Sequence, residues 1–278
     1  MVVRVSESLA HTYRFPNYPH LHVLVRLYKA RLAYRRQMVR LFGRERERCP
    51  VPAALTPSLE AQANHFAANG WAYAENVFTP EFHRRLVDEW PASYYFHPMY
   101  MITKSFELGF QWAGRKDVEA PHLAQNPVVR ELYDFLRSDG FAAQVTRLCG
   151  DGIPRACYSI ALTRSHSGTS VIPHQDSVVR QPQGHTFLNL VFFINGTGGK
   201  RAGGLNILKD PEYKEVVFEP TNLRNAVMTY KSAAPLFHGF PPMRMGTFRW
   251  TVNTQFCSRE WLEHIKKNPS AMRGTDED

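Results

Sequence analysis

Val171-Ile172-Pro173-His174-Gln175-Asp176-Ser177 reads as a short β-strand carrying two metal-ligand side chains. Side chains at i and i+2 of a strand point to one face. His174 and Asp176 are therefore expected to share a face, with Gln175 turned away. A lone His238 follows much later in Leu236-Phe237-His238-Gly239-Phe240, far enough along for the chain to cross a barrel and return opposite the pair. Two imidazoles and one carboxylate are the ligand set of a mononuclear non-haem iron(II) site, which keeps three coordination positions open. A bare His-x-Asp is a weak signal, so the order of the features around it has to carry the reading.

After Gly150 the sequence breaks into eight short β-rich runs separated by Gly, Pro and Asn: 156–164, 171–177, 186–195, 204–208, 215–219, 225–230, 235–240 and 247–257. Such runs predict a double-sheet jelly roll rather than alternating βαβ units. Upstream, Thr56-Pro57 is expected to start a helix through Ala68, closed by Gly70. A strand over 71–78 and a helix over 80–89 capped by Thr79 follow. Residues 91–110 are aromatic and read as irregular; 126–138 and 140–148 read as two more helices. The expected fold is mainly β with α-helical support: a double-stranded β-helix (jelly roll, cupin-like) core with N-terminal helices. The expected organisation is a basic N-terminal segment (1–54), a catalytic domain (55–262) and a C-terminal tail (263–278).

A chain of 278 residues can bury a large core without disulfides. Its hydrophobic (44%) and charged (21%) fractions are those of an ordinary globular protein. Cys49, Cys149, Cys157 and Cys257 show no CxxC spacing, so they read as reduced, mostly buried thiols and not as a zinc site. No apolar run is long enough to span a bilayer, and the first residues lack the layout of a secretory signal. The expected location is cytoplasmic. The net charge of +9 is uneven: residues 21–48 alone contribute +7. Within them Leu21, Leu24, Val25, Tyr28, Leu32, Val39 and Phe42 recur with helical spacing, ended near Gly43, with arginines on the other faces. This basic amphipathic helix either packs its stripe on the protein or lies on an anionic membrane surface; nucleic acid is the weaker alternative.

Gly203-Gly204-Leu205 opens the fourth run, where glycines allow a tight bend. Arg249 lies eleven residues beyond His238 on the last long run, two before Thr251, so the two share a face. An acidic cosubstrate chelating the metal at one end needs a fixed cation at the other, and Arg supplies a planar fork for it. In these residues the chain resembles the iron(II)/2-oxoglutarate-dependent dioxygenases. The resemblance covers roughly residues 55–260, with a glycine turn one residue shorter than the family's usual form. It implies Fe(II) held by His174, Asp176 and His238, with 2-oxoglutarate and O2 as cosubstrates. Arg249 and Thr251 would hold the far carboxylate, and Tyr158, Thr163 or Asn189 would add contacts; Arg244 is a rival to Arg249. The carboxylate at Asp176 favours hydroxylation over halogenation. Arg164, Arg180, Arg201 and Arg244, with the basic helix, suggest an acidic or membrane-associated sugar at the inner membrane surface, as in the Kdo hydroxylases. Hydroxylation of a small metabolite or of a prolyl residue, nucleic-acid demethylation, and a vestigial cupin-like binding module are the alternatives.

Overall fold

The computed structural model describes residues 30, 33–34, 36–43, 51–99, 103–104, 106–113, 116–117, 123–175, 187–231 and 235–267. Two compact units, Met1–Gly43 and Arg44–Asp278, divide the chain. In the first, residues 36–42 are helical, and the Gly43 amide donates to the Val39 carbonyl at 2.8 Å. Val39 is buried, whereas Tyr34, Leu41 and Phe42 are exposed. Leu21, Leu24, Val25, Tyr28 and Leu32 of the expected stripe lie outside the described residues.

The second unit opens with a 3-10 turn (Glu60–Gln62), helix α1 (Ala63–Asn69), strand β1 (Trp71–Glu75), helix α2 (Pro80–Asp88) and a second 3-10 turn (Ser93–Tyr95). Strands β2 (His97–Met99), β3 (Thr103–Lys104), β4 (Phe106–Ala113) and β5 (Lys116–Asp117) precede helices α3 (Pro127–Arg137) and α4 (Asp139–Cys149). Then come β6 (Arg155–His166), β7 (Ser170–His174), β8 (Leu188–Gly196), β9 (Asn206–Leu208), β10 (Val216–Phe218), β11 (Ala226–Lys231), β12 (Phe237–Phe240), β13 (Phe248–Ser258) and helix α5 (Arg259–Lys267). All eight strands expected after Gly150 form, and they make a jelly roll. The major sheet runs β1-β11-β8-β13-β6-β4-β2 with β5 beside β4; the minor sheet runs β10-β9-β12-β7-β3.

Four local expectations need correction. Residues 91–110 are not irregular: β2, β3 and the start of β4 fall there, and β4 pairs with β6. The period-two spacing of Phe106, Leu108, Phe110 and Trp112 was the overlooked signal. The helix expected from Thr56 begins only at Ala63, because the Thr56 amide bonds the Val77 carbonyl at 2.8 Å and ties the chain alongside the segment after β1. Thr79 precedes α2, but its side chain makes no cap bond, and Pro80 occupies the first turn. The C-terminal part is helical through Lys267, where a tail was expected from 263. Trp261 and Leu262 are buried in a cluster with Tyr158, Phe187 and Cys257, which anchors α5.

Strand alternation divides the major sheet into two faces. One turns to the helices: Phe192 lies tilted against Phe78 (5.2 Å) and Phe141 (6.3 Å), and Phe256 meets Phe141 edge-on (5.5 Å). Each of these buried aromatics contributes about 3–5 kcal/mol by the cost of truncation to Ala. The other face turns to the minor sheet. Val191, Phe193, Ala226, Met228 and Tyr230 meet Leu205, Ile207 and Phe240 across the interior. This inner face positions the candidate site.

Candidate metal and cosubstrate site

His174 and His238 form a cross-strand pair between β7 and β12, with ring centroids 4.2 Å apart. A β-bulge sets that pair. His238 faces His174 and Phe240 faces Val171, so β7 spends three residues where β12 spends two. The extra residue shifts the phase of β7. Val171, which packs on the interior, and His174 can then face inward together, while Ile172 is exposed. Gly239 makes the tight approach possible: a Cβ there would sit 2.7 Å from the Val171 carbonyl oxygen and 3.0 Å from Pro173 Cα.

The tautomer of His174 is fixed by the same bulge. Its Nδ1–H donates to the Ile172 carbonyl at 2.8 Å, which makes Nε2 the lone-pair nitrogen. A carbonyl partner on the far ring nitrogen is the usual orienting device of a metal-ligating histidine. His238 is buried. Its ring lies 4.5 Å from that of Tyr230, a neighbour that was not anticipated. The signal was present in the parity of β11, since Tyr230 is two residues from the inward Met228.

Asp176 lies outside the described residues, and among those described no group of three His, Cys, Asp or Glu converges. Gln175 follows the last residue of β7. β7 ends at His174, and the Gln175 side-chain amide donates to the Leu236 carbonyl at 3.2 Å.

Arg249 is 6% exposed, on β13, with its guanidinium 4.2 Å above the Phe240 ring and 6.0 Å from that of Phe193. Its Nε donates to Ser165 Oγ at 3.4 Å and its Nη1 to the Gly203 carbonyl. Gly203 adopts a left-handed φ of 89°, and a Cβ on Gly204 would fall 2.1 Å from the Pro220 carbonyl oxygen. The expected glycine turn thus presents a carbonyl to Arg249. Among the described residues no carboxylate pairs with Arg249. Desolvation pushes its pKa down to about 9, opposed only in part by the Tyr230 phenol. Among the described residues this buried cation is held by neutral groups alone.

Thr251 is fully buried and its Oγ1 is hydrogen-bonded to Thr163 Oγ1. One of the two hydroxyls donates to the other, so one proton remains to be offered elsewhere. Asn189 is buried on β8, in register with Tyr230 and Gln255. Tyr158 is the extra residue of a bulge in β6 and packs against Phe187 (5.2 Å) and Trp261 (5.9 Å), an aromatic cluster under α5. Arg244 sits on an exposed turn with Nη2 3.5 Å from the Gly198 carbonyl. Arg201 is exposed nearby, Arg164 turns to the helix side over Phe96 (5.0 Å), and Arg180 lies outside the described residues. Cys149, Cys157 and Cys257 are buried free thiols pushed up in pKa by desolvation, so they are poor nucleophiles.

No family model matches the sequence, and no curated protein does. Solved structures do share its fold. One is a prolyl hydroxylase from Trichoplax adhaerens in complex with a hypoxia inducible factor peptide: 12% identity, 74% of this chain, 91% of that chain, TM-score 0.52. Another is a 2OG-Fe(II) oxygenase family oxidoreductase from Burkholderia pseudomallei: 11% identity, 74% of this chain, 93% of that chain, TM-score 0.52. The chain is therefore built on the jelly-roll fold of the 2-oxoglutarate-Fe(II) oxygenases. Among the described residues no helix is long and apolar enough to cross a membrane.

Proposed function

We propose that this protein is an Fe(II)- and 2-oxoglutarate-dependent dioxygenase that hydroxylates a C–H bond. The observation that carries the reading is the inward His174–His238 pair on one side of a barrel whose other wall holds a buried cation without a carboxylate partner among the described residues. His174 Nε2 and His238 would hold the metal, with the Asp176 carboxylate as third ligand. The donor set fits iron(II): two imidazoles, one of them already oriented by the Ile172 carbonyl. When bound, Fe(II) couples the oxidative decarboxylation of 2-oxoglutarate by O2, giving succinate and CO2, to oxygen insertion into the substrate.

The remaining work falls to the chain. Arg249 holds the distal carboxylate of 2-oxoglutarate, fixed by Ser165, Gly203 and the Phe240 face. Thr163 and Thr251 offer one further hydroxyl proton on the same wall. Phe193, Phe240, Val191 and Ile207 keep the space between carboxylate and metal dry, which strengthens each polar contact there. Tyr230 packs between the His238 ring and the field of Arg249, and so links the two ends of the site.

A small-metabolite hydroxylase and a prolyl hydroxylase would share this machinery and differ in what reaches it. An acidic sugar such as Kdo, met at a membrane surface through residues 21–42, would need a cation at the substrate end. Among the described residues, Arg164, Arg201 and Arg244 turn elsewhere. The test is succinate formation from 2-oxoglutarate with Fe(II) and O2, in the wild type and in His174→Ala. Turnover by the wild type alone supports the reading. Equal turnover by both, or none by either, overturns it.

A further inference from the structure

Strand β13 runs the length of the barrel, and every second residue faces the interior: Arg249, Thr251, Asn253 and Gln255. The register fixes this. Thr251 faces Phe193 and Asn253 faces Val191, both members of the interior cluster, while Val252 and Thr254 turn to the helices. At about 7 Å per two-residue step, the row extends some 20 Å from the Arg249 end. Its first two members serve the cosubstrate in the proposed reaction. The last two have no assigned role.

Asn253 and Gln255 are half-buried carboxamides. The Gln255 Oε1 accepts from Ser159 Oγ at 2.9 Å, which orients the amide and directs Nε2 away from Ser159. Among the described residues nothing hydrogen-bonds the Asn253 side chain. Gln255 is in register with Asn189, and Asn189 with Tyr230, whose ring lies on His238. One cross-strand row therefore runs from the metal-side histidine to Gln255. Phe187 and Tyr158, with ring centroids 5.2 Å apart, add aromatic surface at that end.

Charge is as telling as polarity. Across the described inward positions of β6, β8, β11 and β13, Arg249 is the single charged residue, and it stands at the opposite end from Gln255. Among the described inward positions of these four strands, a carboxylate or phosphate at the Gln255 end would meet no cationic side chain to relieve its desolvation cost. Carboxamides donate and accept together, as a hydroxyl does, so they match vicinal hydroxyls. Aromatic surface beside a few convergent polar groups is the make-up of a small-molecule pocket.

Resting on the dioxygenase reading, we infer that Asn253 and Gln255 are specificity-determining residues for a neutral, polyhydroxylated substrate such as a hexose ring. Gln255, on the row that leads to His238, addresses hydroxyls nearest the metal, and Asn253 those one step toward Arg249. This is the opposite charge class from the acidic sugar suggested by the basic helix.

The experiment uses the full chain loaded with Mn(II) and 2-oxoglutarate under anaerobic conditions. A matched set of methyl hexopyranosides and methyl hexuronides is titrated by calorimetry against wild type, Asn253→Leu and Gln255→Leu. Binding of 2-oxoglutarate to each protein is the control. The expected result is that at least one neutral glycoside binds ten-fold or more tighter than its uronide. Each substitution should weaken it ten-fold or more, and 2-oxoglutarate affinity should stay within two-fold. Asn253→Gln or Gln255→Asn should keep part of the affinity, which a merely structural role would not require. With 2-oxoglutarate bound normally, the inference is overturned if uronides bind as tightly, if glycoside binding survives both substitutions, or if no neutral member of the set binds. Failure of the wild type to bind 2-oxoglutarate overturns the dioxygenase reading itself.

Discussion

The Gly239 Cα lies so close to the Val171 carbonyl that a single added methyl group would stand 2.7 Å from its oxygen. That approach holds the two strands bearing His174 and His238 together. Gly239→Ala should force β7 away from β12 and separate the imidazoles. We expect Mn(II) affinity to fall about 10–100-fold, the range for loss of a ligand-orienting contact, with far-UV circular dichroism unchanged. Wild-type affinity in the variant would mean that the bulge does not set the metal geometry.

Metal binding requires both histidines deprotonated, so it must release protons. Affinity should therefore be higher at pH 7.5 than at pH 5.5. Titration of Mn(II) at pH 5.5 and 7.5 checks this. Equal affinities would argue against imidazole ligands.

Arg249→Leu should weaken 2-oxoglutarate binding by about 2–5 kcal/mol, the cost of removing one partner of a buried charge pair. Without cosubstrate the same change should leave stability level or raise it, since it removes a desolvated cation. A depressed value of about 9 still leaves Arg249 a cation at neutral pH. Calorimetry and thermal melting separate the two effects. Normal binding by the variant would transfer the anchoring role to another cation such as Arg244.

His83 provides a pH test of the fold. Its Nε2 donates to the carbonyl of Ile194, the extra residue of a bulge in β8, at 2.8 Å. Burial lowers its pKa below the ordinary 6.5, so the folded chain favours the neutral ring. A depressed histidine stabilises fully above the unfolded value, and that contribution is lost as pH falls through it toward the folded value. Melting temperature should therefore drop between pH 7 and 5, and His83→Gln should flatten that drop. An unchanged slope in the variant would assign the acid sensitivity elsewhere.

Much of this architecture was legible in the sequence because period-two patterns and glycine turns are local signals. The strands after Gly150, the Gly203-Gly204 turn and the inward parity of Arg249 with Thr251 were read from spacing alone. Bulges were not legible. One extra residue in β7 brings His174 inward together with Val171, three positions away, and one in β6 places Tyr158 in the cluster with Phe187 and Trp261. Both depend on which strand lies opposite, a long-range fact that no short window contains. Tyr230 was missed for the same reason: its neighbour His238 comes from the other sheet. The arginines counted toward an acidic substrate were read by number, whereas the fold turns Arg164 to the helix side and leaves Arg201 and Arg244 on exposed turns.

The most direct test of the account is the binding of 2-oxoglutarate to the full chain, by calorimetry under anaerobic conditions, with and without Mn(II). The account predicts one 2-oxoglutarate per chain in the presence of metal. That binding should be lost without metal or in His238→Ala, and weakened in Arg249→Leu. Binding that is absent, or that is indifferent to metal and to His238, would contradict it.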